Sequence, residues 1–353
     1  EKKLISMLEE ILTLYGIKAV ESNIKLFGDG LINRTWKVST GFAEYILQKV
    51  NDTVFKIPLD IDYNISGIRA FLDDKNPGYK FISPLPALNG ETLISTPSGF
   101  FRLFPFVSGS HSLNVLDNET EAFEAAKQFG GFSRALNDFQ VSNLKITIPN
   151  FHNLSLWYEK FIAACDNASA DRKQKAAAGI AFIKENASIV TVYEELIKNK
   201  VIPERVIHHD TKINNVLFNA ENKGICVIDL DTVMPGYYIS DVGDMMRTYL
   251  CAVSEEETDL SKINIRTSFF KAIYDGYLSE MGDVLTEAEK TYFIYAGKFM
   301  ILMQGIRFLT DYLQNDSYYG CQYEDHNLKR AENQLTLLKR YLEVEDQLQD
   351  LIA

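Results

Sequence analysis

Several things are scarce in this chain, and each scarcity excludes a class of protein. Cysteine occurs four times in 353 residues, at Cys165, Cys226, Cys251 and Cys321, and neither these nor the five histidines recur at metal-ligand spacing. That argues against a disulfide framework and against a zinc module. Cys165 and Cys226 lie in apolar runs and read as buried thiols, which suits a reducing, cytoplasmic setting. There is no Pro-rich or Gly/Ser-rich tract, no low-complexity segment and no internal repeat. No apolar run approaches the roughly 20 residues that span a bilayer. The opening EKKLISMLEEILTLYG lacks the apolar core and cleavage site of a signal peptide, so no membrane partner is expected. Basic residues are the minority, 36 Lys and Arg against 48 Asp and Glu, for a formal charge of −12. Such a balance argues against a nucleic-acid partner but not against a nucleotide, whose phosphates are bound locally.

What is present points to one stretch. Residues 206 to 247 read VIHHDTKINNVLFNAENKGICVIDLDTVMPGYYISDVGDMMR. Two β-branched runs, Val216–Phe218 and Ile225–Ile228, flank a polar turn from Asn219 to Gly224, the pattern of a tight hairpin. His208-x-Asp210-x4-Asn215 precedes the first run, and Asp229-Leu230-Asp231 follows the second. The hairpin therefore gathers Asp210, Asn215 and Asp229 at one end. Phosphoryl transfer from ATP needs such a set: a carboxylate to take the acceptor's proton, Asp210, and hard oxygen ligands for Mg²⁺, Asn215 and Asp229. Taken singly, each residue could equally make a turn or cap a helix.

Earlier in the chain, Phe27-Gly28-Asp29-Gly30-Leu31-Ile32-Asn33 lies between strand-like segments. Its glycines let backbone approach phosphates, so Gly28, Asp29, Gly30 and Asn33 are candidate nucleotide contacts. No Gly-Lys-Ser/Thr follows, so this is not a Walker A loop. In the next strand Lys49 is the candidate phosphate-binding cation, although alternation sends Gln48 and Lys49 to opposite faces and Gln48 could occupy that place instead. The following helix, about residues 61 to 72, contains no glutamate to hold such a lysine; Asp60 and Asp62 are the nearest acids. A second hairpin runs into Phe100–Val107, where a strand ends at a proline as at a hinge. Beyond Asn114 the chain reads helical, with one long helix over residues 171 to 200 and another over 286 to 313. The acidic run from Glu255 to Asp259 reads as a solvated helix start.

The order glycine loop, strand lysine, His-x-Asp-x4-Asn, hairpin, Ile-Asp resembles the protein-kinase-like superfamily, in the form of its aminoglycoside phosphotransferase-type small-molecule kinases. GDGLINRTW, EYILQKVN, HHDTKINNVL, IDLDTVMPG, DVGDMMR and the segment from Arg307 to Leu338 are similar to bacterial N-acetylhexosamine 1-kinases. Leu31 departs from the histidine of that family's glycine loop. The resemblance implies an α+β, bilobal protein-kinase-like fold, with a β-rich N-lobe over residues 1–106 and a mainly helical C-lobe over 107–353. It also implies adenine contacts at the hinge, around Phe104, Phe106 and Val107. The acceptor would be held by Asp210, Arg307 and Tyr318, with Asp231 either facing it or simply fixing the turn, and the product would be a sugar 1-phosphate. A plainer reading makes Arg307 an exposed helix arginine paired with Asp311, and gives Asp241 and Asp244 structural roles in capping a helix or bracing the catalytic loop. Two other functions stay open at this point: a kinase of the same fold for another small alcohol (choline, homoserine, methylthioribose, an aminoglycoside), and a catalytically silent nucleotide-binding scaffold. The oligomeric state is open too.

Overall fold

A computed structural model describes residues 2–18, 23–28 and 32–353. The chain begins with α1 (Lys2–Leu14), whose apolar residues recur at helical spacing and bury Leu8, Ile11 and Leu12. They rest on a sheet formed by β1 (Asn23–Leu26), β2 (Arg34–Ser39), β3 (Glu44–Val50), β4 (Ile94–Thr96) and β5 (Gly99–Pro105). The sheet has five strands in the order β1-β2-β3-β5-β4, so β3 is central and receives β2 on one side and β5 on the other. Period-two alternation then sorts its residues. Trp36, Leu47, Phe101 and Leu103 form the outer face against α1, whereas Val50 and Phe100 join the main core on the inner side.

Between β3 and β4 runs α2 (Pro58–Lys75), started by a proline in its first turn and by Asp60 near its positive end. Its buried Asn64 donates to the carbonyls of Lys145 and Val233 (2.9 and 3.0 Å) and accepts from Lys145 N–H, which fixes α2 against the segment after β8. After β5 come α3 (Glu119–Ala135), α4 (Leu154–Asn167), α5 (Ala170–Lys175), α6 (Ala177–Glu185), α7 (Ser188–Lys198), and the short strands β6 (Arg205–Ile207), β7 (Val216–Phe218), β8 (Gly224–Val227) and β9 (Met234–Gly236). The chain finishes with α8 (Tyr238–Tyr249), α9 (Thr267–Met281), α10 (Glu287–Thr291), α11 (Phe293–Leu313), α12 (His326–Glu343) and α13 (Glu345–Ile352). This is the mixed fold the sequence implies: a sheet-bearing N-terminal part and a mainly helical remainder.

Two expected helices are interrupted. Residues 171 to 200 form α5, α6 and α7, and at the second break the Asn186 side chain donates to the Phe182 carbonyl (2.8 Å) and competes with the helical ladder there. The 286–313 segment divides at Tyr292, just past the capping box of Thr286 and Glu289 that starts α10. Among the described residues no helix is long and apolar enough to cross a membrane. Cys226 and Cys251 are buried, but Cys165 is only half-buried, so the expectation of two buried thiols at Cys165 and Cys226 holds for the second alone.

Candidate active site

The β7–β8 hairpin forms where the sequence places it, with β8 starting at Gly224. Its base joins two loops. In the first, the buried His208 acts as a spacer: its Nε2 lies 3.0 Å from the Ile228 carbonyl, and its Nδ1 accepts from Asp210 N–H at 3.4 Å. Burial lowers its pKa, so a neutral imidazole with the proton on Nε2 satisfies both bonds. The loop is also gripped from behind by α8. Asp241 accepts from the N–H groups of His208 and His209 (2.9 and 2.7 Å), and Asp244 accepts from that of Thr211 (2.9 Å). These acids brace the catalytic loop and do not cap α8, whose first residue has no side-chain cap. Burial pushes Asp241 up to about 7 despite its two backbone donors. His209 takes a left-handed conformation, φ 66°, and its ring packs where a Cβ on Gly236 would stand, 2.5 Å from Nε2.

Asp210 projects half-buried from this loop, with Lys212 Nζ 3.4 Å from its Oδ1. The Asp210 carboxylate raises the pKa of Lys212, which keeps the ammonium charged beside it. Asn215 spends its amide nitrogen on the Asp210 carbonyl (2.9 Å), which leaves Oδ1 for a cation. Asp229, at the end of β8, adopts φ 61° and ψ 65°. A left-handed conformation in a non-glycine residue is a strained geometry of the kind that functional loops retain. Desolvation, then the Asp231 and Asp210 carboxylates, push Asp229 up to about 7 against the Arg102 and Lys212 charges. Two carboxylates, Asp210 and Asp229, with the free Asn215 amide oxygen are a donor set for a hard divalent cation that would complete its shell with phosphate and water. Among the described residues no three His, Cys, Asp or Glu side chains stand together to hold a metal ion by themselves, so a cation here would need phosphate and water for most of its shell.

The sheet corrects the lysine. Lys49 pairs with Phe101 in register and shares its outer face, its Nζ 5.9 Å from the Phe101 ring centroid. Gln48 is the residue on the inner face, opposite Arg102. Arg102, 3 % exposed, donates from Nε and Nη2 to Gln48 Oε1 (3.2 and 2.9 Å) and pairs through Nη2 with Asp231 Oδ1 at 2.6 Å. Asp231 is therefore not turned toward an acceptor; it is 2 % exposed and its Oδ2 accepts from Asn33 Nδ2 at 2.6 Å. Asn33, expected at the nucleotide, uses its other end to accept from Asn51 N–H (3.0 Å), so it ties the sheet to the metal loop.

Gly28 has φ 76°, a turn glycine, while Asp29, Gly30 and Leu31 lie outside the described residues. At the end of β5, Phe104 stands on the inner face, 5.1 Å below the Arg102 guanidinium, and Phe27 meets Phe106 edge to face at 6.1 Å. Phe106 N–H is spent on the Glu44 carbonyl (3.0 Å) and the Val107 carbonyl on Ser110. Val107 N–H has no backbone acceptor among the described residues.

On the helical side, Arg307 is 6 % exposed, not a surface arginine, and it does not pair with Asp311. Asp311 instead accepts from the N–H groups of Tyr318 and Tyr319 and from Asn327 Nδ2. The Arg307 guanidinium lies among Phe151, Trp157 and Tyr319, 5.2, 4.9 and 5.7 Å from their ring centroids, and its Nε has no partner. Phe151 stacks on His152, whose ring meets His209 at 5.1 Å, so ring contacts connect this box to the catalytic loop. Tyr318 is 62 % exposed and stands against the other side of Trp157. The acidic run is another correction. Glu255 starts no helix; it lies between Arg247 and Arg330, and Arg247 also pairs with Asp244 (3.0 Å) behind the catalytic loop.

Sequence reasoning missed Lys212 and Arg102. Lys212 was legible as a basic residue two positions after Asp210. Arg102 was legible as the one charge inside the apolar run Phe100–Val107, at a position whose alternation opposes Phe101 and Leu103.

Similar folds occur in solved structures. A microcompartment-associated aminopropanol kinase aligns over 98 % of both chains with a TM-score of 0.65 and 14 % identity. Plasmodium vivax ethanolamine kinase aligns over 96 % of this chain and 88 % of its own, TM-score 0.59, 15 % identity. A spectinomycin phosphotransferase, solved with ADP and spectinomycin, aligns over 96 % of this chain and 98 % of its own, TM-score 0.56, 16 % identity. At these identities the likeness establishes the fold. The sequence pattern of the phosphotransferase enzyme family matches residues 23–264, most of the chain, and with Asp210, Asn215 and Asp229 gathered at its hairpin this protein belongs to that family.

Proposed function

We propose that this phosphotransferase moves the γ-phosphoryl group of Mg·ATP to a hydroxyl of an uncharged small molecule, the anomeric hydroxyl of an N-acetylhexosamine, to give a sugar 1-phosphate. Nucleotide would lie between residues 1–106 and 107–353, with adenine at the Val107 N–H beside Phe104 and Phe106, and with Gly28 and its loop above the phosphates. Related folds solved with ADP support nucleotide use. Asp229 and the Asn215 amide oxygen would hold Mg²⁺, which neutralises phosphate charge when bound. Asp210 orients the acceptor hydroxyl and takes its proton, and Lys212 holds a positive charge next to the reacting groups.

Arg307 carries the choice of acceptor. Several structural relatives are named for cationic amino alcohols: aminopropanol, ethanolamine and choline. An aromatic box suits such a cation. Here the box of Phe151, Trp157 and Tyr319 already holds the chain's own guanidinium, with Arg247 close enough to His152 for its charge to be felt there. A protonated amine would meet like charge, whereas a sugar's hydroxyl or amide oxygens would accept from a guanidinium. The test is ADP release with Mg·ATP over free N-acetylhexosamines, other sugars, choline, ethanolamine and spectinomycin, with phosphorus NMR to locate the new phosphate. Turnover on an N-acetylhexosamine to an anomeric phosphate is expected, and Arg307→Met should raise KM for it about ten- to a hundredfold. Turnover confined to a cationic alcohol would refute the acceptor while leaving the phosphotransferase chemistry intact.

A further inference from the structure

The inner-face position on β3, where a kinase places its phosphate-binding lysine, holds an uncharged residue, Gln48. The helix that would supply a glutamate to steady such a lysine has none, and the nearest acids do not replace it. Asp62 accepts from Thr92 Oγ1 at 2.6 Å, and the group α2 turns inward is Asn64, bonded to backbone. A phosphate site without a cation on this face would leave the nucleotide's charge to the metal and Lys212 alone. The cation is one strand over. Arg102 on β5 stands directly across from Gln48 and is buried, and Gln48 holds its Nε and Nη2.

We propose that Arg102 is the residue that holds the nucleotide phosphates, and that Asp231 is its anchoring carboxylate. The pair takes the place of a strand lysine and a helix glutamate; the inference rests on the nucleotide reading above. A guanidinium can do this where an ammonium could not, because its fixed fork presents five N–H donors. Gln48 and Asp231 engage Nε and Nη2, and among the described residues no protein acceptor meets Nη1. Asp231 is two residues beyond the proposed metal ligand Asp229, so the anchor belongs to the metal loop and not to α2. The Asn33 amide bonds the same carboxylate from the end of the glycine loop. Phosphate cation, metal ligand and loop thus share one rigid connection, and α2 is released from the role that would require a glutamate.

Titration calorimetry with ATP, ADP and adenosine on the full chain tests this. Arg102→Met is expected to raise the Kd for ATP and ADP about ten- to a hundredfold and to leave adenosine unchanged, since only the phosphates meet Arg102. Gln48→Lys in the Arg102→Met background should restore ATP affinity by returning a cation to the facing strand and giving Asp231 a partner. Should Arg102→Met not fold, Arg102→Lys keeps Asp231 paired and is expected to weaken ATP severalfold with adenosine unaffected. Unchanged ATP affinity in the Arg102 variants, an equal loss for adenosine, or no recovery in the double variant would each overturn the proposal. Wild-type protein that binds none of the three would remove the nucleotide reading itself, and the proposal with it.

Discussion

Replacing Glu255 with glutamine should cost stability in a way that depends on pH with a known sign. Glu255 lies between Arg247 and Arg330, at 2.8 Å from the Arg247 guanidinium, on a connection that runs through Asp244 to the catalytic loop. Burial opposes its ionisation, but the two arginines, with Lys212, outweigh it and hold the carboxyl at about 2, against 4.5 ordinarily. A carboxyl depressed in the folded state contributes stability that is fully present above its unfolded pKa and is lost as pH falls toward its folded one. The difference of about 2.5 pH units corresponds to a contribution on the order of 3 kcal/mol at neutral pH, because each unit is worth about 1.4 kcal/mol. Urea unfolding of wild type and Glu255→Gln should therefore differ by about that amount at pH 7 and hold steady to about pH 4.5. By about pH 3 the gap should shrink to less than half. Other carboxylates titrate in both proteins and cancel in the comparison. A gap that is absent at pH 7, or that widens on acidification, would refute the assignment of a depressed, arginine-held carboxyl.

Gly243→Ala tests the support of the catalytic loop from another side. A Cβ there would stand 2.3 Å from the Ala296 carbonyl oxygen and 2.8 Å from Met300 Cβ, so α8 must move away from α11. The expected loss is about 2–3 kcal/mol in a melt, with turnover reduced because α8 carries Asp241 and Asp244; a melting temperature within about one degree of wild type would mean the helices have slack. Asp210→Asn should lower kcat by about 10²–10⁴ and leave ATP affinity close to wild type. Asp229→Asn should instead abolish the Mg²⁺-dependent part of ATP binding; the opposite pairing of effects would exchange their roles.

The β7–β8 hairpin was legible in the sequence because its information is local. Two β-branched runs with a polar turn fix which residues meet at the base, so Asp210, Asn215 and Asp229 follow from spacing alone. In α1 the apolar residues at helical spacing bury Leu8, Ile11 and Leu12, while Ile5 stays exposed. Register across the sheet is a different matter. Whether Lys49 or Gln48 faces inward depends on which side of β3 receives α1, and a strand read alone has two equivalent faces. That choice depends on contacts between residues distant in the chain, Leu47 with Leu103 and Leu8 with Trp36 among them, and it moved the inner cation from Lys49 to Arg102. The same holds for Arg307, Asp231 and Glu255, whose charge reads as exposed in a sequence. Only packing shows that each is enclosed by groups that recognise it: aromatic rings for Arg307, Arg102 and Asn33 for Asp231, two arginines for Glu255. Local pattern determined which residues meet at the hairpin base, and tertiary packing decided which charges stand around them, because burial of a charge requires partners that the chain brings together only on folding.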